Sequence, residues 1–257
     1  MNPTGFEALR DIFGPNGYEL KYYPAPGTQP APFAIICPGG GYSAVMSCIE
    51  GKPYAQALNE KGYAAFVLRY RVRNRAGWPA PMLDLARAVR WVLAHAEEYR
   101  VKPDGYAVFG SSAGAHLAAL FGVPKLGWRH YGLPRPGALV LCYPVITMGA
   151  LTHAGSRDWL LGKAPAAELA ALTSAEQQVT AAYPPTFLWC GTADKTVDPR
   201  NSRAMAAALA AHGVPHRFVE YPGVDHGVGL GQGLACKGWL DEAVAFWQQQ
   251  RGVDHGT

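Results

Sequence analysis

Residues 105–122 read GYAVFGSSAGAHLAALFG. An apolar, β-type run ends at Gly110, two serines follow, and an apolar helical run begins behind Gly114. The turn between them is a GxSxG pattern centred on Ser112. Glycine suits positions 110 and 114 because so sharp a turn presses the backbone against its neighbours, where a Cβ would clash. The hydroxyl of Ser112 is expected at the apex, above a helix N-terminus whose dipole favours developing negative charge. Ser111 falls one residue too early, on the strand side. A strand that turns directly into a helix is half of a βαβ unit, and the rest of the chain repeats the pattern.

Strand-like runs fall at 17–23, 31–37, 64–70, 105–110, 137–143, 184–190 and 215–221. Most are continuously apolar, as strands covered on both faces are. Amphipathic stretches at 50–62, 80–99, 112–122, 198–212 and 236–249 are long enough to be crossover helices. The alternation predicts an α/β fold: one mostly parallel, doubly wound sheet of about seven or eight strands in a single domain, residues 1–257. Residues 146–183 interrupt it. A connection of that length inside a compact domain is usually functional, and it is expected to form a lid-like insertion of two or three short helices.

Of the 257 residues, 49% are hydrophobic and 16% charged, which supports a sizeable core. The net charge of +4 comes from scattered Lys and Arg with no basic block, so nucleic acid is not an expected partner. No signal-like start or membrane-length apolar run is present, and a cytoplasmic protein is expected. Cys37, Cys48, Cys142, Cys190 and Cys236 are odd in number and far apart, as buried reduced thiols would be. No CxxC, HExxH or paired Cys/His spacing occurs, so no metal and no cofactor is expected.

A second glycine cluster, CPGGGY at 37–42, closes the run FAIIC. Three glycines after a central strand let backbone N–H groups point at a ligand, and the N–H groups of Gly40, Gly41 and Ala113 are the expected oxyanion hole. An acid and a histidine should follow in that order. Asp194 stands in the loop after PPTFLWC, whereas Asp198, before Pro199 and a helical run, suits a helix cap. Two histidines then compete, because GVDHG occurs at 223–227 and again at 252–256. His226 follows the last predicted strand, on the carboxyl edge where Ser112 and Asp194 also emerge. His255 comes after a helix that carries the chain roughly 20 Å away. The expected triad is therefore Ser112, His226 and Asp194, and neither Asp225 nor Asp254 orients the imidazole. Tyr42, Trp78 and Trp159 are candidate substrate contacts, and His116 is expected to be a packed histidine.

GSSAG, the glycine loop, GTAD and the post-strand His226 resemble the α/β-hydrolase fold in order over nearly the whole chain. LRYRVRNRAGWPAPMLDLARAVRWV at 68–92 resembles hormone-sensitive-lipase-like esterases. The combination of PGGGY, LRYRV, GSSAGAHLA and PPTFLW is more closely similar to small microbial acetylxylan-esterase-like or carbohydrate-esterase-like hydrolases. Pro38 stands where the lipase-like group has histidine, and Ala115 where GxSxGG is common. The resemblance implies a serine carboxyl-ester hydrolase that removes short acyl groups, acetyl above all, from carbohydrates or other small alcohols. The alternatives are a hydroxycinnamoyl esterase, a serine exopeptidase of the prolyl-oligopeptidase type, or a non-catalytic binding protein on the same fold.

Overall fold

A computed structural model describes residues 10–13 and 18–251, with side chains from residue 18 onward. The strands are β1 (Arg10–Phe13), β2 (Glu19–Tyr23), β3 (Phe33–Cys37), β4 (Ala64–Arg69), β5 (Ala107–Ser111), β6 (Ala138–Cys142), β7 (Thr186–Gly191) and β8 (His216–Tyr221). They form one eight-stranded sheet in the order β1-β2-β4-β3-β5-β6-β7-β8. β2 runs antiparallel to β1 and β4, and every other pairing is parallel. All seven strands expected from sequence are present. The eighth, β1, escapes a sequence reading because RDIF is four residues long and half charged. The helices are α1 (Lys52–Glu60), α2 (Ala80–Ala94), α3 (Ala113–Gly122), α4 (Ala154–Leu161), α5 (Ala167–Leu172), α6 (Arg200–Ala211) and α7 (Trp239–Arg251). α2 ends five residues before the expected position 99. There the chain turns so that Tyr99 packs on Tyr22 and Phe66, a contact a continuing helix would not make.

The two-residue period of the strands sorts the core into two layers. Phe33, Ile35, Val108, Leu139, Leu141 and Leu188 face one side and pack against α2, α3 and α6. Ala34, Ile36, Phe109, Val140, Phe187 and Trp189 face the other and pack against α1 and α7. Every residue of α3 is buried, which is why AGAHLAALFG is apolar nearly all round. On α2, Asp84 is fully buried and accepts the Arg71 backbone N–H (2.9 Å) and the Arg71 Nε–H (2.9 Å).

Residues 146–183 contain α4, α5 and a 3₁₀ turn at Ala175–Gln177. The segment is tied down at its start and its middle. Asn201 Oδ1 accepts the N–H groups of Ile146 and Thr147, Ser174 Oγ accepts that of Met148, and Trp78 N–H donates to Leu160 O. Cys37, Cys142, Cys190 and Cys236 are buried and free, as expected, but Cys48 is exposed because it lies on a π-helical turn, Ser47–Gly51, at the surface. Among the described residues no helix is long and apolar enough to cross a membrane.

The strand order reverses at β3. From its carboxyl end the chain leaves toward α1 on one face, whereas from neighbouring β5 it leaves toward α3 on the other. Loops that part in opposite directions leave a crevice at the carboxyl edge of the sheet, and here its lips are the glycine loop and Ser112.

Candidate active site

The turn after β5 holds Ser112 at φ 53° and ψ −119°, a left-handed conformation that a non-glycine residue adopts only when its surroundings impose it. Ser112 N–H donates to Cys142 O (3.0 Å), and Ser112 O accepts the N–H groups of Ala115, His116 and Val145. The two glycines of the motif let strand, turn and helix nest. A Cβ on Gly110 would lie 2.4 Å from Gly114 O, and one on Gly114 would lie 2.0 Å from Cys37 O. Ser111 points down into the protein, where its hydroxyl donates to Tyr54 Oη (3.3 Å).

Three side chains from three loops meet above this turn. Ser112 Oγ is 2.8 Å from His226 Nε2, and His226 Nδ1 is 2.7 Å from Asp194 Oδ2. The second oxygen of Asp194, Oδ1, accepts the N–H groups of Thr196 and Val197, both at 2.9 Å. An acceptor-only carboxylate fixes the proton of the neutral imidazole on Nδ1, which leaves the Nε2 lone pair toward the serine hydroxyl. Asp225 does not touch the ring. Its Oδ1 accepts the N–H of His226 (2.8 Å) and that of Lys195 (3.4 Å), so it ties the two loops together. Asp198 Oδ1 accepts the N–H of Arg200, at the start of α6. Asp254 and His255 lie outside the described residues.

The glycine loop closes the near side. Gly40 and Gly41 have φ of 126° and 63°, and their N–H groups have no acceptor among the described residues. The Ala113 N–H, at the first position of α3, has no intrahelical partner. Gly39 N–H, by contrast, is taken by Glu50 Oε2 (2.6 Å). The Tyr143 hydroxyl donates to Glu50 Oε1 (2.7 Å), and the Tyr143 ring stands edge-on to His226 with centroids 4.8 Å apart. Burial pushes the Glu50 carboxyl above the ordinary range, while the bonds from Tyr143 and Gly39 pull it partly back. Glu50 therefore braces the glycine loop and the ring that backs the imidazole. In sequence it looks like an ordinary acid ahead of a helix, and only the π-helical turn that carries it inward marks it out.

The cleft has a volume of about 310 Å³ and is lined by Ser112, His226, Gly40 and Gly41, together with the apolar Met46 and Ile49 and the polar Ser43, His153 and Thr196. Sequence reasoning missed His153, the N-cap of α4; burial and the neighbouring His226 hold its imidazole below the usual histidine range.

The expected substrate contacts fall elsewhere. Tyr42 is buried at 1% exposure, its hydroxyl bonded to His116 Nδ1 (2.8 Å), because its positive φ of 58° turns the side chain into the core. Trp78 and Trp159 share a second cleft with Arg73 and Asn74. Trp78 is strapped to the far end of α4, and Trp159 lies six residues beyond His153, roughly 9 Å along the helix axis. No group of three His, Cys, Asp or Glu side chains able to hold a metal occurs among the described residues.

His116 is fully buried, with Nε2–H donating to Thr173 O (2.8 Å), so that Nδ1 accepts from Tyr42. Burial holds this imidazole at about 4, below the ordinary 6.5. As pH falls through that window the unfolded chain binds a proton that the folded one refuses, so stability present above pH 6.5 is lost toward pH 4, by about 3 kcal/mol. Urea titrations should show the stability gap between wild type and His116→Gln narrowing by that amount over this range; parallel pH profiles would refute the assignment.

The BD-FAE family model matches residues 21–127, and the prolyl oligopeptidase family model matches residues 80–254. A solved acetyl ester-xyloside bifunctional hydrolase from Caldicellulosiruptor lactoaceticus is 36% identical, with a TM-score of 0.83 over 92% of this chain and 89% of that one. An acetylxylan esterase of Xylanibacter ruminicola is 30% identical over 85% of this chain and 46% of its own length. Endo-1,4-beta-xylanase B of Butyrivibrio fibrisolvens is 34% identical over 84% of this chain and 35% of its own length. The chain thus spans between a third and a half of these two curated relatives. With an identity of 36% holding across most of a solved hydrolase, and with the prolyl oligopeptidase family pattern running from residue 80 to 254, the chain belongs to the α/β-hydrolases, in the prolyl oligopeptidase family.

Proposed function

We propose that the chain is a serine carboxyl-ester hydrolase that releases short acyl groups, acetyl above all, from carbohydrate esters. The observation that carries this reading is the single imidazole bridging Ser112 Oγ at 2.8 Å and Asp194 Oδ2 at 2.7 Å. His226 takes the Ser112 proton as Oγ bonds to the ester carbonyl carbon. The carbonyl oxygen, now anionic, is received by the N–H groups of Gly40, Gly41 and Ala113, each worth about 3 kcal/mol in comparable sites. When the carbon–oxygen bond to the alcohol breaks, His226 returns the proton to the departing oxygen. Water then repeats the sequence on the acyl-serine and restores the free hydroxyl. Met46 and Ile49, 37% and 42% exposed at the rim, suit a short acyl chain. Residues 146–183 act in this reading as a wall of the cleft.

Of the two family matches, the ester reading is favoured over peptide cleavage by the acetyl ester-xyloside hydrolase, similar over nine-tenths of the chain. A panel of acetylated xylo-oligosaccharides, alkyl acetates, hydroxycinnamoyl esters and aminoacyl anilides tests it. Acetyl release from the oligosaccharides should have the highest kcat/KM, and a fluorophosphonate should label Ser112 stoichiometrically. Faster anilide cleavage, or no adduct, would refute the reading.

A further inference from the structure

The lining of the cleft is chemically mixed: Met46 and Ile49 are apolar, whereas Ser43, His153 and Thr196 are polar. An apolar acyl group would favour the first set and a polyhydroxylated alcohol the second. Besides His226, His153 is the imidazole in this lining, and its protonation state follows from its neighbours. The backbone N–H of Ser156, which can only donate, points at His153 Nδ1 (3.2 Å), and the buried Ser156 hydroxyl lies 2.8 Å from the same nitrogen. Nδ1 is therefore an acceptor, and the ring carries its hydrogen on Nε2. That N–H has no acceptor among the described residues, and the ring stands beside the glycine loop, with Cε1 3.6 Å from where a Cβ on Gly41 would be.

We propose that His153 Nε2–H recognises a free hydroxyl next to the acylated oxygen on the alcohol half of the ester, making the cleft selective for acyl esters of sugars and other polyols. The proposal rests on the ester-hydrolase reading above. A donor left unpaired in a half-buried cleft discriminates against an analogue that lacks the matching oxygen. Such a group is a specificity determinant rather than part of the proton relay.

Two substrates separate the possibilities: a methyl xyloside with one acetyl group and a free hydroxyl on the neighbouring carbon, and the same ester with that hydroxyl replaced by hydrogen. Wild type should prefer the first by about tenfold in kcat/KM. Asparagine keeps an acceptor where Nδ1 caps α4 but does not reach as far as Nε2, so His153→Asn should bring the ratio close to one. Glutamine places an N–H near the Nε2 position, so His153→Gln should keep most of the preference. A wild-type ratio near one, a His153→Asn ratio equal to wild type, or a parallel fall on both esters with the ratio unchanged would each overturn the proposal. Wild-type failure on both esters would instead overturn the esterase reading itself.

Discussion

Ser112→Ala should lower kcat on an acetyl ester by about a millionfold, the scale seen when a serine nucleophile is removed from a triad, and leave the thermal transition where it is. The size of the effect follows from the bond that can no longer form. Without Oγ no acyl-serine intermediate exists, and what survives is the weak assistance of Gly40, Gly41 and Ala113 to direct attack by water. The fold should be indifferent, because Ser112 is held by its backbone. Its N–H goes to Cys142 O and its carbonyl accepts three N–H groups, none of which involves the hydroxyl. Alanine has the same Cβ, so the left-handed turn costs neither residue more. Burst and steady-state kinetics beside a circular-dichroism melt make the comparison. Activity above one per cent of wild type in a normally folded variant would remove Ser112 from the mechanism.

Asp194→Asn should cost about ten-thousandfold in kcat while preserving the loop. The direction in which the new amide faces is already determined. Oδ1 receives the N–H groups of Thr196 and Val197, so that position must remain an acceptor and keeps the amide oxygen. The amide nitrogen is forced into the Oδ2 position, 2.7 Å from His226 Nδ1. Two donors cannot face each other, so the imidazole gives up the Nδ1 proton and carries it on Nε2, against the hydroxyl it should deprotonate. The loss is one of tautomer, not of stability. An unchanged urea midpoint with activity reduced by four orders of magnitude is the expected pair of observations, together with an Nε2–H signal by NMR. Near-normal activity would mean that Asp194 only shapes its loop.

How much of this could be read from the sequence depends on how local each cause is. β3 to β7 were legible because a strand buried on both faces is apolar at nearly every position, and the breaks between them are marked by Gly, Pro and Asp. Ser112, Asp194 and His226 were legible because a parallel sheet delivers every post-strand loop to one edge, so chain order stands in for spatial proximity. Glu50 and His153 were not. Each owes its position to an irregular turn, a π-helical one for Glu50 and a helix cap for His153, and neither leaves a periodic trace. Tyr42 misled for a related reason: adjacency to the glycine loop says nothing about which way a residue with positive φ throws its ring. Trp78 and Trp159 do lie together, but on the far end of α4, a distance that only the helix axis reveals.

The three triad groups hang from strands of unequal standing. Ser112 leaves β5 and Asp194 leaves β7, each with neighbours on both sides, whereas His226 leaves β8, the last strand of the sheet, bonded on one side only and largely half-exposed. Core strands open only near the global unfolding free energy and edge strands for less, so the proposed nucleophile would be held more firmly than the proposed base. Fraying at β8 would part His226 from Ser112 with the rest of the sheet intact, so in the mechanism proposed above heat would break the serine–imidazole contact before it disturbed the serine turn.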